Sequence, residues 1–204
     1  MRTDGRDGRI ALIGHAQMNL AELARLAPVP ILKYEILNAK ETPSEIETGV
    51  DCAVFLTSVE SGISQALINY WNYFAERLIP RILLVSISTQ SDIDFDDIVL
   101  IGVRTLEQLA TPYLVVHGQS GEPIGLIDIS TNKITDYSSK TESIADSELI
   151  DLVRDFQIEY QELIEAYGDE GFSEGLVAIA LPIQFDSGLG LDKFQNLLEI
   201  LTKP

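Results

Sequence analysis

Residues 9–26 read R-I-A-L-I-G-H-A-Q-M-N-L-A-E-L-A-R-L, and the order of residue types along them sets the fold class. Ile10 to Ile13 are a short apolar run of the length of a strand covered on both faces. Gly14 breaks the run, and Leu20, Leu23, Ala24 and Leu26 then recur at helical spacing. A buried strand, a glycine turn and a helix at the head of an α/β chain mark the place for a phosphate-binding loop. The loop here keeps that outline and almost none of its chemistry.

Outward from this stretch the same rhythm continues. Pro28 and Pro30 close the first helix, expected over Leu20–Ala27. Ile31–Leu37 and Val50–Thr57 read as strands, and Ile63–Leu78 as an amphipathic helix. Arg81–Ser86 reads as a buried strand and Phe95–Leu109 as a helix, with Asp94, Asp96 and Asp97 favourable at its start. Uncharged strands alternating with helices predict a largely parallel sheet covered on both faces. After Ala110 the pattern changes. Tyr113–His117, Ile124–Ile129 and Lys133–Tyr137 read as short antiparallel strands. A long helix over Ser147–Tyr167 with Ser147 as its cap, a strand over Val177–Phe185 and a helix over Asp192–Leu201 complete the chain. Residues 1–8 read as a flexible tail.

Composition narrows the function. The 204 residues are 46% hydrophobic and carry a net charge of −18. The 14 Lys and Arg are scattered. This argues against nucleic acid and anionic membrane as partners. No apolar run reaches the ~20 residues of a membrane span, and the N-terminus lacks a signal-peptide core. The single cysteine, Cys52, lies in an apolar run and reads as a buried bystander. A cytoplasmic location is expected.

Four blocks together resemble the GTP-binding domain of translation elongation factor G. They are I-A-L-I-G-H at 10–15, D-C-A-V-F-L-T-S-V-E-S-G-I at 51–63, L-I-P-R-I-L-L-V at 78–85 with D-F at 94–95, and G-E-P-I-G-L-I-D-I-S-T-N-K at 121–133. The last is similar to a hairpin of the small sub-domain inserted in that factor. The resemblance spans residues 9–204, with a deletion between about Leu26 and Val50. It implies a P-loop NTPase-like three-layer α/β/α fold, with an inserted α+β sub-domain at about 110–176.

The same alignment exposes the losses. A P-loop needs a glycine, a Lys for the phosphates and a Ser or Thr for Mg²⁺. The vestigial loop runs from Gly14 and His15 to Asn19, Leu20 and Ala21, so the second glycine, the cation and the metal anchor are all replaced. Asn19 and Glu22 have capping-box spacing, which sets a carboxylate where phosphate would sit. The base-reading N-K-x-D positions fall on Ser86, Ile87 and Thr89, and the last loop survives only as Ser187-Gly188. The switch sequences have no counterpart. The resemblance therefore implies a pseudo-GTPase with no catalytic residue, metal or cofactor, acting through a protein partner or a second copy of itself. The alternative is a divergent nucleotide-binding protein with weak GTPase activity, using GTP and Mg²⁺ through unrecognised ligands.

Other constellations are weaker. For His15 and His117, the two histidines, a metal or catalytic role would need converging carboxylates or thiols, and they read as loop and strand-end positions without function. The D-I-D-F-D-D run at 92–97 lacks the glycine and terminal Glu of a calcium loop and reads as an acidic helix start. Tyr70, Trp71, Tyr73 and Phe74 read as core, with Trp71 or Tyr73 as a candidate docking patch. No G-x-S-x-G nucleophile signature occurs.

Overall fold

A computed structural model describes residues 8–15, 17–29, 32–40, 43, 49–88, 91, 93–168 and 170–200. The expected tail lies outside the described residues, apart from Gly8. So do most of the 41–48 segment, Thr89 and Asp92.

Six strands form one parallel sheet. They are β1 (Gly8–Gly14), β2 (Leu32–Asn38), β3 (Cys52–Ser58), β4 (Arg81–Ser86), β5 (Leu109–Ala110) and β10 (Ala178–Ile183), in the order β2-β1-β3-β4-β10-β5. Every neighbouring pair in it is parallel. The central strands are apolar along their middles because both faces are covered. Alternate residues of each strand enter opposite layers. Ile10, Leu12, Cys52, Val54, Leu56, Ile82, Leu84, Leu181 and Ile183 pack under α1 (Leu20–Leu26) and α5 (Leu191–Ile200). Ala11, Ile13, Ala53, Phe55, Leu83, Val85 and Ala180 pack under α2 (Gln65–Ala75) and α3 (Phe95–Thr105). Phe55 anchors the second layer, with its ring 4.8 Å from Trp71 and 6.1 Å, edge-on, from Phe74.

Between β5 and β10 lies a second, antiparallel sheet. It comprises β6 (Tyr113–His117), β7 (Pro123–Asp128), β8 (Lys133–Asp136) and β9 (Thr141–Ile144), in that order, followed by α4 (Ser147–Tyr167). Leu114, Leu126, Ile127, Ile129 and Val153 continue the α2–α3 core into this region. Gln157 of α4 donates to the Ile129 carbonyl and to Asn132, locking the helix over the β7–β8 turn. The Tyr137 hydroxyl donates to Asp192 of α5 and ties the second sheet back to the first layer.

Several expected boundaries are corrected. The third helix stops at Thr105, and Leu109–Ala110 instead pair with β10, because that strand's outer edge would otherwise be bare. The second helix is shorter at both ends, capped by the Ser64 hydroxyl rather than starting at Ile63. The long helix is capped by Asp146, whose carboxylate accepts from Leu149 N–H at 2.9 Å; Ser147 is its first residue. Strand β9 was not expected at all. Trp71 is fully buried, so it offers no docking patch, and Tyr73 lies half-buried under the Arg77 guanidinium at 3.7 Å.

One charge lies deep in the fold. Arg81, at the start of β4, is 2% exposed. Its guanidinium meets Glu107 in a fork of two bonds, 2.7 and 3.1 Å, and donates to the Ile79 and Gly175 carbonyls. The Trp71 indole N–H donates to the same carboxylate at 2.7 Å. This set joins α2, β4, the α3–β5 turn and the loop before β10. Gly175 has φ +71°, and a Cβ there would meet the Leu78 carbonyl oxygen at 2.1 Å, so only glycine fits. Removing one partner of a buried pair strands the other charge. Glu107→Ala is therefore expected to cost about 3 kcal/mol by urea denaturation. Arg81→Met combined with Glu107→Gln is expected to cost less, because the new amide oxygen still accepts from Trp71 and no buried charge is left alone.

Candidate functional site

In a sheet of this kind, polar chemistry collects at the carboxyl ends of the strands. The loops after β1, β3, β4 and β10 lie at that end of the sheet.

Gly14 is the last residue of β1 and is buried. A Cβ on it would meet Leu20 Cδ2 at 3.1 Å and the Leu56 carbonyl oxygen at 3.2 Å, so the glycine lets the returning helix close onto the sheet. The loop turns at once, with Met18 N–H donating to the His15 carbonyl at 2.8 Å. His15 is half-buried and Ala21 exposed. Leu20 is 5% exposed and belongs to the α1–α5 core. The position aligned with a phosphate-binding ammonium therefore holds an apolar side chain turned into the protein interior.

The helix start is satisfied from within. Asn19 Oδ1 accepts from Glu22 N–H at 3.0 Å, and Asn19 Nδ2 donates to Glu22 Oε2 at 2.6 Å. The expected Asn–Glu pairing thus forms, but through the Asn side-chain amide rather than through the backbone N–H of a true capping box. Arg25 lies 3.5 Å from the other Glu22 oxygen. The helix dipole and the cap together favour this local carboxylate.

A second carboxylate, absent from the sequence-based list, lies at the same end. Glu60 follows β3. Partial loss of water would raise its carboxyl, but its own backbone N–H and the Ser58 and Ser88 hydroxyls outweigh this and hold it below the usual range. It is therefore ionised at neutral pH. The hydroxyls of T-S-V-E-S at 57–61 were the available signal. Thr57 is fully buried and donates to the Gly62 carbonyl, and Ser61 N–H donates to Ser58 Oγ at 3.1 Å.

The base-reading positions do not converge. Ser86 ends β4 half-buried. Ile87 is buried, and its N–H donates to the Ile183 carbonyl at 2.9 Å. Ile87 lines a hollow of about 260 Å³ together with Ser91, Asp94, Val115 and His117. Ser187 instead lines a different hollow, of about 280 Å³, with Thr135, Tyr137 and Lys140. Its hydroxyl donates to Gln184 Oε1 at 2.7 Å and accepts from Leu189 N–H, so it is used within its own turn. Thr89 lies outside the described residues.

Two further titratable groups are shifted by their surroundings. Burial pushes the Cys52 thiol far above its usual range, which leaves it protonated and unreactive. Burial and the Asp192 carboxylate raise the Tyr137 phenol likewise. Among the described residues, no group of three or more His, Cys, Asp and Glu could hold a metal ion. Nor is any helix among them long and apolar enough to cross a membrane.

No family model matches the chain, and no curated protein does. Among solved structures it is similar to the crystal structure of ttk003000868 from Thermus thermophilus. The TM-score is 0.75 at 18% identity, over 96% of this chain and 40% of that one. What the two share is the fold. The chain spans less than half the length of that structure.

Two outcomes follow from this geometry. Asn19→Ala removes the cap and is expected to cost about 1 kcal/mol in chemical denaturation. Loss of water and the neighbouring Asp94 and Asp97 charges push the Asp96 carboxyl up to about 6. A carboxyl raised in the fold contributes stability below the ordinary carboxylate range, and this is lost as pH rises through about 6. Asp96→Asn is therefore expected to raise Tm at pH 7 and to change it little at pH 4. The gain is modest, because Asp96 keeps an exposed surface.

Proposed function

We propose that the chain is a G domain of the elongation factor G type that has lost its nucleotide site. In this reading it is a non-catalytic binding or regulatory module of the cytoplasm that works through protein contacts. One observation carries the proposal. The helix after β1 starts on an Asn19–Glu22 pair, with Leu20 packed inward at the position of the phosphate-binding Lys. A triphosphate approaching this end would meet Glu22 and Glu60 and no aligned cation. The lost ammonium and metal anchor would each have supplied charge-assisted bonds of roughly 1.5–3 kcal/mol.

The P-loop NTPase-like part of the reading is supported by the parallel order β2-β1-β3-β4-β10 around the strand that precedes the loop. The inserted sub-domain is supported by the antiparallel sheet and long helix that interrupt the chain between β5 and β10. Neither feature identifies the partner.

Thermal shift with GTP, GDP and ATP at about 1 mM, with and without Mg²⁺, tests the reading. A ligand at about 100 times its Kd adds roughly 2.7 kcal/mol to the folded state. For a chain of this size that is a rise of several degrees in Tm. The expected response is flat for all three nucleotides. A Mg²⁺-dependent rise specific to guanine nucleotides would overturn the proposal and establish the divergent nucleotide-binding alternative.

A further inference from the structure

The six-stranded sheet ends on β2, whose pairing with β1 uses one of its two edges. The register with β1 is unbroken over all seven residues, from Gly8 opposite Leu32 to Gly14 opposite Asn38. The outer edge of β2 has no partner strand among the described residues. The other sheet ends differ. Strand β5 is two residues long, β6 is packed against β10 and α3, and β9 is four exposed residues. Among the described residues, strand β2 is therefore the one full-length edge, and such an edge is a template for another strand. On it Ile36 is 51% exposed, beside strands that are buried on both faces.

We propose that a second copy of this chain pairs with it antiparallel through β2, about a two-fold axis at Tyr34. Sequence and symmetry select both the occupant and the register. A two-fold axis across an antiparallel pair keeps each residue on its own face of the sheet. A residue can then lie opposite only itself or one an even number of positions away. Centring on Tyr34 sets Lys33 opposite Glu35 and Leu32 opposite Ile36, each twice by symmetry. Centring on Lys33 or on Glu35 sets like charges face to face. Centring on Ile36 sets Glu35 opposite Leu37. One register alone pairs opposite charges on one face and apolar residues on the other, and both kinds of cross-strand pair are favourable. Glu35 stands at the centre of the polar face, accepting from Arg9 of β1 at 2.9 Å. In the joined sheet it would lie between that guanidinium and the facing Lys33 position.

Net charge opposes this contact at long range, since each copy carries −18. The measurement is therefore made near 0.15 M salt, where the Debye length is about 8 Å. Molar mass by sedimentation equilibrium is expected to rise from monomer toward dimer with protein concentration. Lys33→Glu sets carboxylates opposite each other and is expected to weaken the dimer at least tenfold. Adding Glu35→Lys to that variant restores opposite charges across the axis, keeps a carboxylate beside Arg9, and is expected to restore dimerisation.

Cross-linking reads the register independently of the charge variants. Leu32→Cys combined with Ile36→Cys is expected to form a covalent dimer on mild oxidation, while Ile36→Cys alone does not. The buried Cys52 takes no part. A monomer at every concentration up to about 1 mM would overturn the proposal. So would a dimer indifferent to Lys33→Glu, or a cross-link formed by Ile36→Cys alone. The edge pairing does not rest on the pseudo-GTPase reading, since a strictly monomeric chain would leave the nucleotide result untouched.

Discussion

A strand buried on both faces has no side chain to spare for solvent or substrate along its length. That constraint governs this molecule. Ile10–Ile13, Cys52–Leu56 and Ile82–Val85 are at or near zero exposure. Each sends alternate residues into one of two helical layers. Chemistry is left only to the strand ends. At the carboxyl ends the polar groups are turned inward on one another: Asn19 to Glu22, Thr57 to Gly62, Ser58 to Ser61, Ser187 to Gln184. Loops that satisfy themselves this fully hold few donors in reserve for a ligand.

The amino ends of the strands are built differently. There one buried guanidinium bonds three pieces of chain, and its carboxylate partner also accepts from an indole. Desolvating such a group is tolerable only when a carboxylate and further acceptors meet it. Ile79, Glu107 and Gly175 supply the match from three separate loops. The sheet is thus gathered at its base by a polar knot and at its middle by apolar layers, while its upper rim consists of locally closed turns.

The elements legible in the sequence were those where one physical signal dominated. The inner strands showed by the apolar runs Ile10–Ile13, Cys52–Leu56 and Ile82–Val85, and α2 showed as a stripe of Leu67, Tyr70, Trp71 and Phe74. The Asn19–Glu22 pairing was legible because capping has a fixed spacing. Leu109–Ala110 were not legible as a strand, since two apolar residues after a helix extend the helical pattern as well as they end it. Thr141–Ile144 carry no alternation, because all four are exposed and only pairing with β8 makes them a strand. Asp146 and Ser147 are both good caps, and side-chain geometry alone chose between them. The part played by Glu60 was hidden because it depends on Ser88, which lies far along the chain and is brought near by β4 pairing with β3.

The position of β10 has a consequence in time. It lies between β4 and β5, in the interior of the sheet, yet it follows every other described strand along the chain. As the chain leaves the ribosome, β1 to β4 can assemble early. The far side of β4 must then stay open while the whole antiparallel sheet and α4 are made. Closing so long a loop slows a folding step far more than it weakens the product. Throughout that interval Ile82–Val85 present an unfilled apolar slot, so the nascent chain is most vulnerable to aggregation just before β10 is made.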